Sequence, residues 1–559
     1  MRALLNIPDA RKSFVLNYLG PDVHVYLMPA RQRGPQANHR PIFDYHTNWH
    51  KWIPTKPVRH LLQNESRIKP LLFESQETLS KPNAVAIGPI IASEPHIVDY
   101  RSINNHIDGL VKRVAHKGLD DKIRANGQLP PRKQVVMNQF SRFVDNWIKE
   151  HYTPLEYTEI SHELLDKEWL NGTTRYTVKE KKRYHEYLTE FMDNHYRVPS
   201  DWYNLKSFIK REFYGETKFA RIINSRSEGF KAVAAPFIKM IEHQVLYNEH
   251  FIKGKLPKDI AERMKDIANN FGYVWETDYS SFEGSYSTVF LQHCEMKLFR
   301  YMLKKNPLIK NIVLETYNTN SCTLGTAANV RITPHGHRMR QTAVATFDGS
   351  RMSGDLWTSL CNGFTNMMLY NFCVHMTARR LHRNRRRILA VQKDYLVEGD
   401  DGFFGCNLNV DFSYVKKLGF QLKMKQSRDF NDLSFCGINL GPGNTPTPDF
   451  WRQIEKFGWN FEDDVIRKYS EQPTKIEQKY MRAKALSLLC NSKGVPILQE
   501  LSLNILNQTQ QVNVTSKQFS HYEWEYLHEW LSNKENLAPK PVTEEMRKFF
   551  ERKFHVPPW

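Results

Sequence analysis

Tyr395-Leu396-Val397-Glu398-Gly399-Asp400-Asp401-Gly402-Phe403-Phe404-Gly405 reads as two apolar strands joined by a tight acidic turn. Apolar runs on either side of Gly-Asp-Asp-Gly predict a β-hairpin, and Asp-Gly is among the commonest turn chemistries. Taken alone, such a hairpin is ordinary. Upstream, Tyr273-Val274-Trp275-Glu276-Thr277 predicts another strand that delivers Asp278 at its end, and Glu283 follows five positions later. Apolar residues at 290, 294, 298, 301 and 302 keep a 3.6-residue period, so a helix is expected next and Asp278 stands at a strand-to-helix junction that exposes its side chain. A helix N-terminus favours acidic residues in any case, which accounts for Glu283 equally well.

Between these two stretches lies Ser353-Gly354-Asp355-Leu356-Trp357-Thr358-Ser359-Leu360-Cys361-Asn362, where Ser-Gly opens a helix. Thr358 and Asn362 are four residues apart and share a face. The helix is expected to bury Leu356, Leu360, Phe364 and Met367, leaving Thr358 and Asn362 at a border within reach of a sugar hydroxyl; an N-cap serine with polar neighbours gives the same local pattern.

Working outward, residues 265 to 440 alternate strands, helices and tight turns, which predicts an α+β region with an antiparallel sheet. From 88 to 215 the pattern is helical, with Val135, Phe140, Phe143, Val144, Trp147 and Ile148 expected on one apolar face. Helices return after 465, at Ile476 to Cys490 and Val495 to Leu506, before an aromatic stretch containing Phe519, Tyr522, Trp524, Tyr526 and Trp530 that is expected to be core. Residues 1–87 read as an irregular extension with a short strand-like run from Val23 to Leu27.

The chain has 559 residues, well past the roughly 250–300 at which single cores stop growing, so several subdomains are expected. Lys and Arg number 79 against 60 Asp and Glu, a formal charge of +19 that attracts polyanions. The excess is spread along the chain, which fits a basic groove better than a basic tail. Seven cysteines without a Cys-x-x-Cys pair argue against a disulfide framework or structural zinc. No charged-then-apolar leader and no window of ~18 apolar residues are present, so the chain reads as cytosolic.

Asp-x4-Glu, then Ser-Gly-x3-Thr-x3-Asn, then Gly-Asp-Asp resembles the motif A, B and C series of viral RNA-dependent RNA polymerases. Arg351 through Asn362 is similar to motif B of the tombusvirus-like and nodavirus-like positive-strand RNA virus group. Phe208-Ile209-Lys210-Arg211-Glu212 and Lys218-Phe219-Ala220-Arg221-Ile222-Ile223 resemble the basic motif F, while Gly419 to Lys423 and Phe435-Cys436-Gly437 resemble motifs D and E. The likeness runs from about 90 to 510.

The resemblance implies a right-hand polymerase with an antiparallel palm sheet and helical fingers and thumb. Its parts are an N-terminal extension over 1–87, fingers over 88–265, palm with motif A over 266–304, a fingers insertion over 305–350, palm with motifs B to E over 351–445, and thumb and tail over 446–559. It implies template-directed nucleotidyl transfer that replicates and transcribes a viral RNA genome. Two Mg2+ ions, with Mn2+ as a substitute, would be held by Asp278 and Asp400 with Asp401 auxiliary, since hard oxygen ligands suit them. Lys210, Arg211, Lys218 and Arg221 would bind the triphosphate. Glu283, Ser353, Thr358 and Asn362 would read the ribose; position 283 is Asp in most relatives, and Glu reaches one methylene further. A protonated lysine would serve as general acid, Lys425 being the one carried forward beside Lys423 and Arg428. Cys436 would grip the nascent strand.

The partners implied are RNA template, nascent RNA, ribonucleoside triphosphates and a viral membrane-anchoring replication protein, in the host cytoplasm. The basic run from Arg379 to Arg387 would touch template phosphates or serve as a solvated connector. Two rivals remain: a reverse transcriptase or DNA polymerase palm, which uses the same carboxylates, and a non-catalytic RNA-binding viral protein, which explains the charge but not the ordered acidic motifs.

Overall fold

The computed structural model describes residues 131–555 except 172–175, 215–218, 318–319, 333–337, 348–350, 383, 428, 430–431, 462–474 and 520, together with 67–69, 84–86, 96–98, 105–106 and 109–114. The strand-like run at 23–27 therefore lies outside the described residues. Two short strands, β1 (Arg67–Lys69) and β2 (Ala84–Ala86), belong to the N-terminal region. Helix α1 (Pro131–His151) buries Met137, Phe140, Val144 and Ile148, but Val135 is 56% exposed. The apolar stripe begins at Val136, one position later than the periodicity suggests, because Val135 stands on the polar side of the turn.

Helix α2 (Val178–Asp193) starts at a capping box in which Thr177 and Glu180 satisfy each other's backbone N–H. Strands β3 (Leu205–Ile209) and β4 (Ile222–Arg226) alternate buried and less buried residues along their length. Helix α3 (Glu228–Leu246) is apolar on nearly every side and runs through the core. Helix α4 (Pro257–Asn270) opens with proline at its first position, where no intrahelical donor is needed.

Strand β5 (Tyr273–Tyr279) ends one residue after Asp278. The single helix expected behind it is three short ones, α5 (Phe282–Ser285), α6 (Thr288–His293) and α7 (Glu295–Met302). Ser281 enters at a left-handed φ of 52°, and Cys294 breaks the helical geometry. The 3.6-residue period survives because Phe290, Cys294, Leu298 and Met302 all face one core cluster, with Tyr301 packed against it, which orders the apolar face without requiring one continuous rod.

After α8 (Pro307–Glu315) come two long strands, β6 (Asn320–Ile332) and β7 (Arg338–Phe347). They join a five-stranded sheet in the order β1-β7-β6-β3-β4, with β3 and β6 parallel and the other neighbours antiparallel. The helical pattern over 88–215 gives way near its end to β3, which joins this sheet with strands from other parts of the chain.

Helix α9 (Thr358–Leu381) is buried along most of its length. It backs a four-stranded antiparallel sheet completed by β8 (Lys393–Glu398), β9 (Asp401–Cys406) and β10 (Leu422–Gln426), in the order β8-β9-β5-β10. Tyr370 of α9 stacks on Phe404 of β9 with ring centroids 4.1 Å apart, fixing helix to sheet. The chain is thus a mixed α+β protein whose acidic hairpin lies in an antiparallel sheet.

A three-stranded sheet follows, from β11 (Ser434–Phe435), β12 (Ile438–Leu440) and β13 (Pro446–Pro448). Next, α10 (Phe450–Phe457) leads to β14 (Trp459–Phe461), which pairs with β2. Helices α11 (Lys475–Ser492), α12 (Leu498–Gln508), α13 (His521–Ser532) and α14 (Glu544–Phe554) complete the chain. Their shared apolar cluster takes in Phe519 and Trp530 as partly buried members, in keeping with core packing there.

Candidate active site

Strands β8 and β9 pair as far as Glu398 opposite Asp401, so the turn between them has two residues, Gly399 and Asp400. Gly399 has φ 57°, and Asp400 keeps an ordinary negative φ, the turn class that calls for glycine at its first central position. Asp401 is therefore the first residue of β9 rather than part of the tip. Helix α9 holds this turn from behind through Asn366, which is fully buried. Its amide nitrogen donates to the carbonyls of Gly399, at 3.2 Å, and Asp401, at 3.1 Å. Its oxygen accepts from the Tyr279 hydroxyl at 3.2 Å.

Next to the hairpin, Gly402 pairs with Thr277, so one further step along the register brings Asp401 beside Asp278. The approach is close: a Cβ on Gly402 would lie 2.6 Å from the Thr277 Oγ1 and 2.4 Å from the Phe404 ring. On the other side of β5, Lys423 of β10 pairs with Asp278, and its Nζ lies 3.8 Å from Oδ2. Asp278 also accepts from the Tyr279 backbone N–H at 2.7 Å.

The three aspartates share one electrostatic field. Burial, then the charges of Glu283, Asp401 and Asp278, push Asp400 up to about 7. Burial and the Asp278 charge also raise Asp401, against a hydrogen bond from the Cys436 thiol at 3.6 Å. Among the described residues no three His, Cys, Asp or Glu side chains stand as a ready-formed metal cage. Each carboxylate leans on its own neighbour, Asp278 on Lys423 and the Tyr279 amide, Asp401 on Cys436. The donor set still fits hard divalent cations: carboxylates alone, crowded until one holds its proton near neutrality.

Cys436 sits at the two-residue turn Cys436-Gly437 of the β11–β12 hairpin, where both residues have positive φ. Burial of its thiol, and the charges of Asp401, Glu398 and Asp400, hold it well above the usual thiol range, so it is a donor to Asp401 and not a thiolate.

Beyond Asp278, the chain brings Glu283 to the loop that opens α9. Ser353 Oγ donates to Glu283 Oε1 at 3.1 Å, and the Arg351 N–H donates to the Glu283 carbonyl at 3.1 Å. Thr358 and Asn362 do share the helix, but each has a partner within the protein. Thr358 Oγ1 accepts from the Gly354 N–H at 3.1 Å and lies 2.9 Å from the Asp355 carbonyl, tying the loop to the helix start. Asn362 is buried and accepts from the Tyr286 hydroxyl at 3.3 Å.

The basic candidates flank the end of β3 and the start of β4. Lys210 and Arg221 both pair with Glu212, the latter at 3.5 Å. Although burial works to raise it, these two cations hold the Glu212 carboxyl below its ordinary range. The Arg211 guanidinium lies 4.6 Å from the centroid of the Phe461 ring. Lys218 lies outside the described residues.

Of the lysines near motif D, it is Lys423 that reaches the acidic cluster. Lys425 stands opposite Glu276 in the ladder and donates to the Asp432 carbonyl at 2.6 Å. Arg428 lies outside the described residues. In the basic run, Arg380 pairs with Asp411 at 2.9 Å.

Asn366 and Tyr279 escaped the sequence reading, as did Arg226 and Asp355, which form a buried ion pair beside Ser353. One signal was available: Thr358, Asn362 and Asn366 repeat every fourth residue along an otherwise apolar helix.

Carboxylates from two neighbouring antiparallel strands meet at a tight Gly-Asp-Asp hairpin with a long buried helix behind them, a donor set that suits metal-assisted phosphoryl transfer. Residues 226–443 match the family of viral RNA-dependent RNA polymerases, so this stretch of the chain is similar to that family. The stretch contains all four strands of the acidic sheet, α9 and the β11–β12 hairpin.

An RNA-directed RNA polymerase from Pariacoto virus, a nodavirus, is 25% identical over 235 residues, 42% of this chain and 22% of that protein. The genome polyprotein of Theiler's murine encephalomyelitis virus (strain DA) is 24% identical over 149 residues, 27% of this chain and 5% of the polyprotein. The chain thus spans less than a quarter of the length of the curated relatives it matches.

Proposed function

We propose that this chain is an RNA-dependent RNA polymerase that copies a viral RNA genome by joining ribonucleoside triphosphates on an RNA template. The observation that carries the reading is the pairing of β9 with β5, which sets Asp401 next to Asp278 beside Asp400, itself raised by burial and then by the charges of Glu283, Asp401 and Asp278. Asp278 and Asp400, with Asp401 auxiliary, would hold two Mg2+ ions, which when bound stabilise the attacking 3′-oxygen and the leaving pyrophosphate oxygen.

The protein's own groups bind, orient and hand over protons. Lys210, Arg211, Lys218 and Arg221 receive the triphosphate, with Glu212 keeping Lys210 and Arg221 together. Glu283 and Ser353 address the ribose, with Thr358 fixing the loop that carries Ser353 and Asn362 further along the helix. Lys423 replaces Lys425 as the general acid toward the departing pyrophosphate, because it stands at Asp278. Cys436 faces the nascent strand from beside Asp401.

The right-hand partition follows: fingers over 88–265 with the 305–350 insertion, palm over 266–304 and 351–445, thumb from 446. The pairing of β6 and β7 with the sheet of β3 and β4 supports grouping the insertion with the fingers. Among the described residues no helix is long and apolar enough to cross a membrane, and a membrane-anchoring viral partner in the host cytoplasm fits the basic surface.

The test is nucleotide incorporation on a short RNA, with and without primer, comparing ribo- and deoxyribonucleotides. Ribonucleotide incorporation dependent on Mg2+ is expected, with synthesis lost and RNA binding retained in Asp400→Ala plus Asp401→Ala. A preference for deoxyribonucleotides would favour the reverse-transcriptase reading. Undiminished incorporation by the double variant would overturn the metal assignment.

A further inference from the structure

The loop that presents Ser353 to Glu283 is strung between two buried ion pairs. At one end Arg351 pairs with Glu295 and lies over the Tyr286 ring at 4.9 Å. At the other, Asp355 pairs with Arg226, the last residue of β4, their side chains 4% and 1% exposed. The second pair is a fork: Arg226 Nη2 donates to Asp355 Oδ2, and Nε donates to Oδ1 at 3.2 Å. Arg226 Nη1 donates to the Tyr203 carbonyl at 2.6 Å, and Asp355 Oδ1 also accepts from the Leu356 N–H at 2.8 Å.

Between the two pairs the loop is fitted to β4 without slack. The Asn224 N–H donates to the Ser353 carbonyl at 2.6 Å. Gly354 has φ 91°, and a Cβ there would lie 2.5 Å from the Ile223 side chain. A buried ion pair is a poor device for stability alone, since well-packed apolar residues of similar volume usually do as well or better. Its advantage is directional: a planar guanidinium fork accepts a carboxylate in one orientation.

We infer that the Arg226–Asp355 fork is the positioning element for sugar selection, holding Ser353 against Glu283 from a strand that touches neither the metals nor the ribose. This deepens the polymerase reading and rests on it. Strand β4 runs from Ile222, next to Arg221 on the triphosphate side, to Arg226 under the Ser353 loop, so the sheet that receives the phosphates also sets the register of the sugar contact. Arg226 and Asp355 are positioning residues; Ser353 and Glu283 act on the nucleotide through the geometry these two impose.

The test compares the full chain with Arg226→Met plus Asp355→Leu, which keeps the packing and removes the fork, and with Arg226→Lys, which keeps the charge and loses the second parallel bond. The readouts are the ratio of kcat/KM for ATP to that for dATP on a short RNA template, and thermal melting. The double variant is expected to melt close to the parent and to need Mg2+ as before, with the ratio falling about tenfold, the upper scale of one net hydrogen bond. Arg226→Lys should fall between. Adding Ser353→Ala to the double variant should change the ratio no further, because the same contact is already gone.

A folded, active double variant with an unchanged ratio, or a full additional loss on adding Ser353→Ala, would overturn the inference. Were the parent chain to make no RNA, the polymerase reading would fail instead, and amide exchange would still decide the fork's mechanical role. The Arg351 and Asn224 amides, bonded to Glu283 and Ser353, should exchange at least tenfold faster in the double variant. Unchanged protection there would refute the positioning role.

Discussion

Asp400 illustrates how one side chain ties proton, metal and stability together. Its ordinary value is 3.8, and in the folded chain it is pushed up to about 7 by burial and by Glu283, Asp401 and Asp278. A carboxyl whose folded value is raised binds its proton more tightly folded than unfolded, so it detracts nothing from stability at acid pH. It becomes increasingly unfavourable as pH rises through the window between those values. A divalent cation relieves the same repulsion, and protons compete with it. Millimolar Mg2+ should therefore raise the melting temperature by several degrees at about pH 8 and by almost nothing at about pH 5. Asp400→Asn should melt higher than the parent without Mg2+ at the upper pH and lose most of the Mg2+ effect; an equal Mg2+ shift at both pH values would contradict this account. Asn366 acts one layer behind. Asn366→Leu leaves the Gly399 and Asp401 carbonyls without their donor and the Tyr279 hydroxyl without its acceptor, at about 1–3 kcal/mol for each stranded buried group. Its kcat on an RNA template should drop at least tenfold while the nucleotide KM stays close to that of the parent. Tyr279→Phe, which removes one bond, should cost only about 1 kcal/mol in melting experiments.

At the scale of elements, the hairpin and its neighbour show what a single chain of letters can carry. Strand β5, strands β8 and β9, the Ser-Gly loop and helix α9 were all legible, because alternation, turn chemistry and helical spacing are local properties. Their convergence was legible only through the order of the acidic motifs. What depends on pairing was hidden. Lys423 and Lys425 lie on the same face of β10, two residues apart, and only the register with β5 sets the first at Asp278 and the second at Glu276. The five-stranded sheet was missed because its members come from 67, 205, 222, 320 and 338 onward, and no local pattern announces such distant partners. The break of one expected helix into α5, α6 and α7 was masked because Phe290, Cys294, Leu298 and Met302 all face the same core, which keeps the apolar spacing intact. The glycines of the hairpin separate local from tertiary demands. Gly402→Ala must push against Thr277 and the Phe404 ring, and overpacking of this kind costs about 1–3 kcal/mol. It should also shift β9 away from Asp278 and reduce synthesis. Gly399→Asn meets open space, so its cost comes from the positive-φ backbone alone, about 1–2 kcal/mol. Melting curves of the two variants compare these costs directly, and a more stable Gly402→Ala would mean that the two strands have room to spare.

Across the whole molecule, distant parts of the chain meet at one aromatic contact. Strand β14 takes β2 as its partner, so the N-terminal region pairs with the C-terminal one, while β1 extends the sheet of β3 and β4. Phe461 at the end of β14 stacks on Phe213 with ring centroids 4.4 Å apart, and Arg211 lies over the same Phe461 ring. A residue proposed to receive the triphosphate is thus braced by a ring from beyond the acidic sheet. On the partition proposed above, the brace joins the fingers to the thumb. Phe461→Ala removes the stack, worth about 0.5–1.5 kcal/mol beyond the apolar area it covers, and leaves Arg211 without its platform. The acidic cluster is untouched, so addition of the first nucleotides should proceed at close to the parent rate. Retention of the RNA should suffer: average product length is expected to fall severalfold under single-encounter conditions. The deficit should widen as salt weakens the phosphate contacts that remain. Phe461→Tyr, which keeps the stacking face, should restore long products. Product lengths equal to the parent's at every salt concentration would show that closure between the two sides does not depend on this contact.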